Sequence, residues 1–179
     1  MVIIKEESIE RISAQRKMKI RELLGVESIQ LDGNAMDKTD GINQLVDLMV
    51  KSGKIMDVSK YRKEVFENEK ECIFGEKVAI LHGKSEVVSR PGIAVLLVRK
   101  GISLHVEDKD RLYLFFLLAV PDAKDHMETE LLNKLNKMVM DQRIADSIIS
   151  AKGKMEVLNI MKEAEQEKTV RKGDLEDTQ

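Results

Sequence analysis

The sequence predicts an α/β (α+β) fold, a three-layer α/β/α sandwich on a mixed β-sheet. Three observations predict it. Two segments, "GIAVLLV" (92–98) and "LYLFFLLAV" (112–120), are apolar on successive residues rather than alternate ones, the pattern of strands buried on both faces. Helical periodicity lies both before and after these strands, so helices are available to cover each face. At 179 residues, with 42% hydrophobic and 35% charged, the chain is long enough for one domain with a core of its own.

In chain order, residues 1–17 read as an N-terminal extension, in which Ile9 and Ile12 share one side of a short helix. "SIQL" (28–31) is a short alternating strand. Ile42, Leu45, Val46 and Met49 keep the spacing of one buried helical face, and Gly53 is a natural stop for that helix. Asp57 is placed to cap the next helix, whose stripe is Val58, Tyr61 and Val65. "VAIL" (78–81) and the two long apolar runs follow as strands. Helical stripes then return at Met127, Leu131, Leu135, Met138 and Val139, at Ile144, Ile148 and Ile149, and at Met155, Leu158 and Met161. The domain spans 18–163, and the polar stretch 164–179 reads as a tail that frays into solvent.

Composition excludes several classes of function. Aromatic residues make up 3% of the chain and tryptophan is absent, too little for a base-stacking platform on single-stranded nucleic acid. Basic residues number 30 against 32 acidic ones, a net charge of −2, so no strong field draws the protein to nucleic acid or anionic lipid. Cys72 is the one cysteine, which rules out an intrachain disulfide and a thiolate-rich zinc site and fits a reducing compartment. "MVIIKEESIE" is no signal peptide, and "LYLFFLLAV" is too short for a membrane-spanning helix. No membrane insertion and a cytoplasmic location are expected.

The three histidines carry the chemical information. His82 follows "VAIL" and precedes Gly83, Lys84 and Ser85, which places it just past a strand end, where α/β folds present reactive groups. The plainer reading is a surface loop histidine. His126 opens a strong helix after "PDAKD", where unpaired N–H groups and the helix dipole favour an anion; its plainer reading is a polar first-turn residue. His105, between strands, has no assigned role. Two imidazoles without well-placed carboxylates or thiolates make a poor zinc site, and no metal or cofactor is expected. "FGEKVAILHG" lacks the spacing of a phosphate-binding glycine loop, and "ECIF" gives no sign of an activated thiol at Cys72.

From Lys19 to about Lys162 the chain resembles the enzyme IIA domain of the fructose/mannitol class of the bacterial sugar phosphotransferase system. Five segments carry the resemblance in order: "KIRELLGVESIQLD", "INQLVDLMVKSGKIMD", "VAILHGKSEVVSRPGIAVLLVRKGI", "LYLFFLLAVPDAKDHMETELLNKL" and "AKGKMEVLNIM". The resemblance implies that His82 is the phosphorylated residue. It would accept a phosphoryl group from a histidine-containing phosphocarrier protein and pass it to a cysteine of a sugar-specific IIB domain. His126 falls on the family's second histidine, which implies that it steadies the phosphoryl oxygens or orients the first ring; Ser85 is near enough in sequence to add a hydrogen bond. A neutral imidazole is a competent nucleophile at neutral pH, and transfer is mainly positioning and charge stabilisation.

Departures from the family pattern define a second reading. The family places an arginine sixteen positions before the active histidine, and here that residue is Phe66, which supplies no charge to a phosphate. Arg62, Lys63 and Lys70 are candidate substitutes. Leu81 stands where the family has proline before the histidine, and Cys72 where serine or threonine is common. The alternative is therefore a IIA-like regulatory or binding module with weak or no phosphotransfer, whose partners would include a transcriptional regulator.

Overall fold

The computed structural model describes residues 18–103, 111–122 and 126–177, with side chains to residue 167. The expected N-terminal helix and His105 lie outside the described residues. Five strands and five α-helices form the described fold: β1 (Ile29–Gln30), α1 (Lys38–Lys51), α2 (Val58–Glu67), β2 (Ile73–Phe74), β3 (Val78–Ser85), β4 (Gly92–Ile102), β5 (Leu112–Pro121), α3 (Met127–Val139), α4 (Gln142–Ile149) and α5 (Lys154–Asp177). Single 3-10 turns at Ile20–Glu22, Val26–Ser28 and Glu69–Glu71 complete it.

Local chemistry sets the helix ends. Asp37, Asp57 and Asp141 each accept a backbone N–H of the helix they precede, from Asp40, Lys60 and Arg143 at 2.9, 3.1 and 3.0 Å, which satisfies donors that the first turn leaves unpaired. Gly53 ends α1 with a φ of 77°, a left-handed conformation that glycine adopts without a Cβ penalty.

The sheet is mixed, in the order β1-β4-β5-β3-β2. β1 runs parallel to β4 and β3 parallel to β5, while β4–β5 and β2–β3 are antiparallel. Alternating side chains divide the core in two. Val78, Ile80, Val95, Leu114, Phe116 and Leu118 face α3, α4 and α5. Ala79, Leu81, Ala94, Leu96, Phe115 and Leu117 face α1 and α2. Both faces are covered, so the successive apolar residues of β4 and β5 are each buried on one side or the other.

Three features differ from the sequence reading. β3 does not stop at Leu81 but runs to Ser85, because His82 to Ser85 keep pairing with Leu118 to Pro121 of β5. β2 was not expected; its two residues lie in a polar surrounding where neither periodicity nor length marks a strand. The polar stretch from Ala164 continues α5 rather than fraying at once: Ala164 is buried, and Glu165 accepts the Ile20 N–H at 2.7 Å.

Phe116 sits on the central strand with no exposed surface. Phe116→Ala is expected to lower stability by about 3–5 kcal/mol in a urea titration, and a loss below about 1 kcal/mol would contradict the packing described.

Candidate functional site

The site forms where two neighbouring strands have unequal lengths. β2 pairs with β3 only at Ile73–Ile80 and Phe74–Ala79. Beyond Ile80, β3 continues against β5 alone, and its other edge carries no strand among the described residues. His82 lies on that open edge, in register with Leu118. It is a strand residue, not the turn residue expected from Gly83, and the strand gives its backbone a fixed position.

The ring is held from two directions. Nε2 lies 3.0 Å from the backbone carbonyl of Glu71, the last residue of the 3-10 turn that leads into β2. Nδ1 lies 3.4 Å from Oε1 of Glu128, in the first turn of α3. The His82 side chain is 10% exposed and that of Glu128 21%. The ring is therefore less open than its place near a strand end suggests, because the turn and the helix both lean on it.

Beside the ring lies a cleft of about 220 Å3 lined by Tyr61, Glu64, Asn68, His82, Lys84 and Ser85, among others. Lys84 is two residues beyond His82, so both project to the same side of β3, and it is exposed. Ser85 is buried, and its hydroxyl oxygen accepts the Val87 N–H at 3.2 Å while its carbonyl accepts the Asp122 N–H at 3.1 Å. The first bond is local to the turn after β3, and the second ties the end of β3 to Asp122, just past β5. His126 is the N-cap residue of α3, exposed and without a side-chain capping bond. It stands two residues before Glu128, at the same end of the helix that reaches His82.

The missing arginine has a structural counterpart. Phe66 is half-buried and packs against the core on the α1–α2 side. Arg62 is committed elsewhere: its guanidinium donates to the side chain of Asn43 at 2.9 Å and of Asp47 at 2.5 Å, both on α1. Lys63 pairs with Glu67 at 3.9 Å along its own helix. Among the described residues that line the cleft the cationic one is Lys84, and its signal in the sequence is its i+2 spacing from His82. The sequence reading passed over Glu128; its signal is its place in the first turn of the helix that His126 opens.

Cys72 lies in a separate, largely apolar cleft of about 360 Å3 with Ile42, Leu45 and Phe74. Burial pushes its thiol up to about 11, which keeps it protonated at neutral pH. Among the described residues no group of three or more His, Cys, Asp or Glu stands close enough to hold a metal ion, and no helix is long and apolar enough to cross a membrane.

Comparisons with known proteins agree on one family. The family model described as "Phosphoenolpyruvate-dependent sugar phosphotransferase system, EIIA 2" matches residues 22–164. A relative from Bacillus subtilis, the PTS system fructose-specific EIIABC component, is 27% identical over 146 residues, which cover 80% of this chain and 23% of that protein. The chain thus spans about a quarter of that relative's length. The crystal structure of nitrogen regulatory protein IIA-Ntr from Neisseria meningitidis superimposes with a TM-score of 0.70 at 24% identity, covering 79% of this chain and 98% of that one. The solution complex of enzyme IIA and phosphorylated enzyme IIB of the Escherichia coli mannitol system contains a chain with a TM-score of 0.66 at 21% identity, covering 77% and 96%.

With the thiol shifted up by burial, alkylation of Cys72 by iodoacetamide at pH 8 should run about a hundredfold slower than for an exposed cysteine and should accelerate steeply as the pH approaches 11. Alkylation at the rate of a free thiol would contradict the burial described.

Proposed function

This chain belongs to the EIIA 2 family of the phosphoenolpyruvate-dependent sugar phosphotransferase system, and we propose that it is a phosphocarrier whose acceptor is His82. The observation that carries the proposal is the imidazole held by two neighbours on an unpaired strand edge, beside a cleft. In the first step a ring nitrogen of His82 attacks the phosphorus carried by a histidine-containing phosphocarrier protein. The donor's P–N bond breaks as the new one forms. In the second, a thiolate of a sugar-specific IIB domain attacks the same phosphorus, the S–P bond forms, and His82 recovers its electron pair.

Each transfer moves a phosphoryl group that carries charge on three oxygens, so catalysis is positioning plus charge stabilisation. His126, free of capping duty, is assigned to steady those oxygens or orient the first ring, with the N–H groups at the start of α3 adding to the field. Lys84 takes the place of the family arginine as the nearby cation. It is a point charge on a flexible stem, so it grips a phosphoryl group less specifically than a planar guanidinium would. Ser85 uses its oxygen as an acceptor toward Val87, and the proposal assigns its hydroxyl proton to a phosphoryl oxygen. Support for a IIB partner comes from the mannitol IIA–IIB complex, and the cytoplasm is the compartment in which these partners meet.

A second reading rests on Phe66 and Arg62. With the first packed against the core and the second tied to α1, no described residue lining the cleft brings a guanidinium, which favours a regulatory module that binds a transcriptional regulator or another partner and transfers phosphate weakly or not at all. One experiment separates the two. Incubation with enzyme I, the phosphocarrier protein and labelled phosphoenolpyruvate should place an acid-labile label on the wild-type chain and none on His82→Ala. No label on the wild type, under conditions that charge an ordinary IIA protein, would favour the regulator. His126→Ala should keep its fold and slow transfer about tenfold to a hundredfold; transfer at the wild-type rate would contradict its assigned role.

A further inference from the structure

We infer that Glu128 is the positioning residue for His82: its carboxylate accepts a hydrogen bond from Nδ1–H, leaves Nε2 as the attacking atom, and offsets the positive charge the ring gains when Nε2 bonds to phosphorus. The inference rests on the phosphocarrier reading for its last step and on the geometry and electrostatics of the ring's two neighbours for the others.

Both neighbours of the ring are acceptors. Glu128 presents a carboxylate oxygen to Nδ1, and Glu71 presents a backbone carbonyl to Nε2. A neutral imidazole has one N–H for the two of them, so one contact must face a lone pair. The electrostatics decide which. A lone pair on Nδ1 would face a full negative charge in a largely covered position, where the His82 and Glu128 side chains are 10% and 21% exposed and water screens little. A lone pair on Nε2 would face a neutral carbonyl at 3.0 Å, a repulsion weaker than one against a full charge, in a contact that lies at the surface, where the carbonyl can turn to water. The proton therefore resides on Nδ1, and the hydrogen bond there fixes both the tautomer and the plane of the ring.

The same assignment suits the chemistry. Nε2 is the nitrogen on the surface side, where a protein partner's phosphoryl group can arrive. When the Nε2–P bond forms and the donor's bond to phosphorus breaks, Nδ1 keeps its proton and the ring becomes cationic. A carboxylate 3.4 Å from Nδ1 stabilises that charge, as a buried carboxylate does for other catalytic histidines. In the next step the P–N bond breaks toward the incoming thiolate and the ring returns to neutral. No proton has to move in either direction.

Two readouts test this on the full-length chain. Long-range 1H–15N correlation spectra of the unphosphorylated protein, with His82 assigned by loss of its signals in His82→Gln, should show Nδ1 protonated and Nε2 bare. Glu128→Leu should convert the ring to the Nε2–H form or to a tautomer mixture, and Glu128→Gln, which keeps an acceptor of the same shape, should preserve more of the Nδ1–H form. Transfer from the phosphorylated carrier should fall at least about tenfold in Glu128→Leu and less in Glu128→Gln. A wild-type ring protonated at Nε2, or a tautomer unchanged in Glu128→Leu, overturns the inference. The tautomer is read without phosphate, so a wild-type protein that takes no label while its spectra behave as described would fail the phosphocarrier reading and leave the positioning of the ring supported.

Discussion

The difference in length between β2 and β3 is the constraint on which the site depends. β3 must be long to complete its parallel pairing with β5, which buries the centre of the sheet. β2 covers only the first part of its outer edge. Past Ile80 the edge has no pairing strand among the described residues, a condition that proteins normally blunt with turns, charges or covering segments. Here the 3-10 turn Glu69–Glu71 and the start of α3 close on it, and the residue between them is His82. The ring thus sits on rigid backbone while keeping a path to the surface, the combination that the proposed in-line transfer between two proteins requires.

Charge around the ring is arranged differently from a site built on a guanidinium. On the α1–α2 side, Phe66 packs a half-buried phenyl group against the core, and Arg62 braces α2 against α1. On the α3 side a carboxylate meets the ring and a histidine stands at the helix start. In the cleft the cation is a lysine at the strand end. In the proposed mechanism, stabilisation of the ring through Glu128 and of the phosphoryl oxygens through Lys84, His126 and helix N–H groups divides between β3 and α3. The cost of that division is geometric tolerance, since a lysine fixes no bidentate orientation.

Much of the fold was legible because its signals are long. Eight buried residues among the nine from Leu112 to Val120, interrupted only by the half-buried Tyr113, admit few structures other than a central strand, and the stripes of α1 and α3 repeat over several turns. Short features were not legible. Ile73 and Phe74 make a strand only because β3 lies beside them, and the extension of β3 through His82, Gly83 and Lys84 depends on pairing with β5 rather than on propensity. The site divides in the same way. His82 and His126 stand out because histidines are rare in this chain. Glu128 and the Glu71 carbonyl do not stand out, since acidic residues are common and a carbonyl has no identity in a sequence; they became functional candidates only when the sheet edge brought them to the ring.

The central claim is that the phosphoryl group resides on His82, and peptide mapping of the charged protein tests it most directly. After reaction with the phosphorylated carrier and digestion under alkaline conditions that preserve phosphoramidates, tandem mass spectrometry should locate one phosphoryl group, on the peptide containing His82. A phosphoryl group found on His126 or on any other residue, with His82 unmodified, would contradict the account.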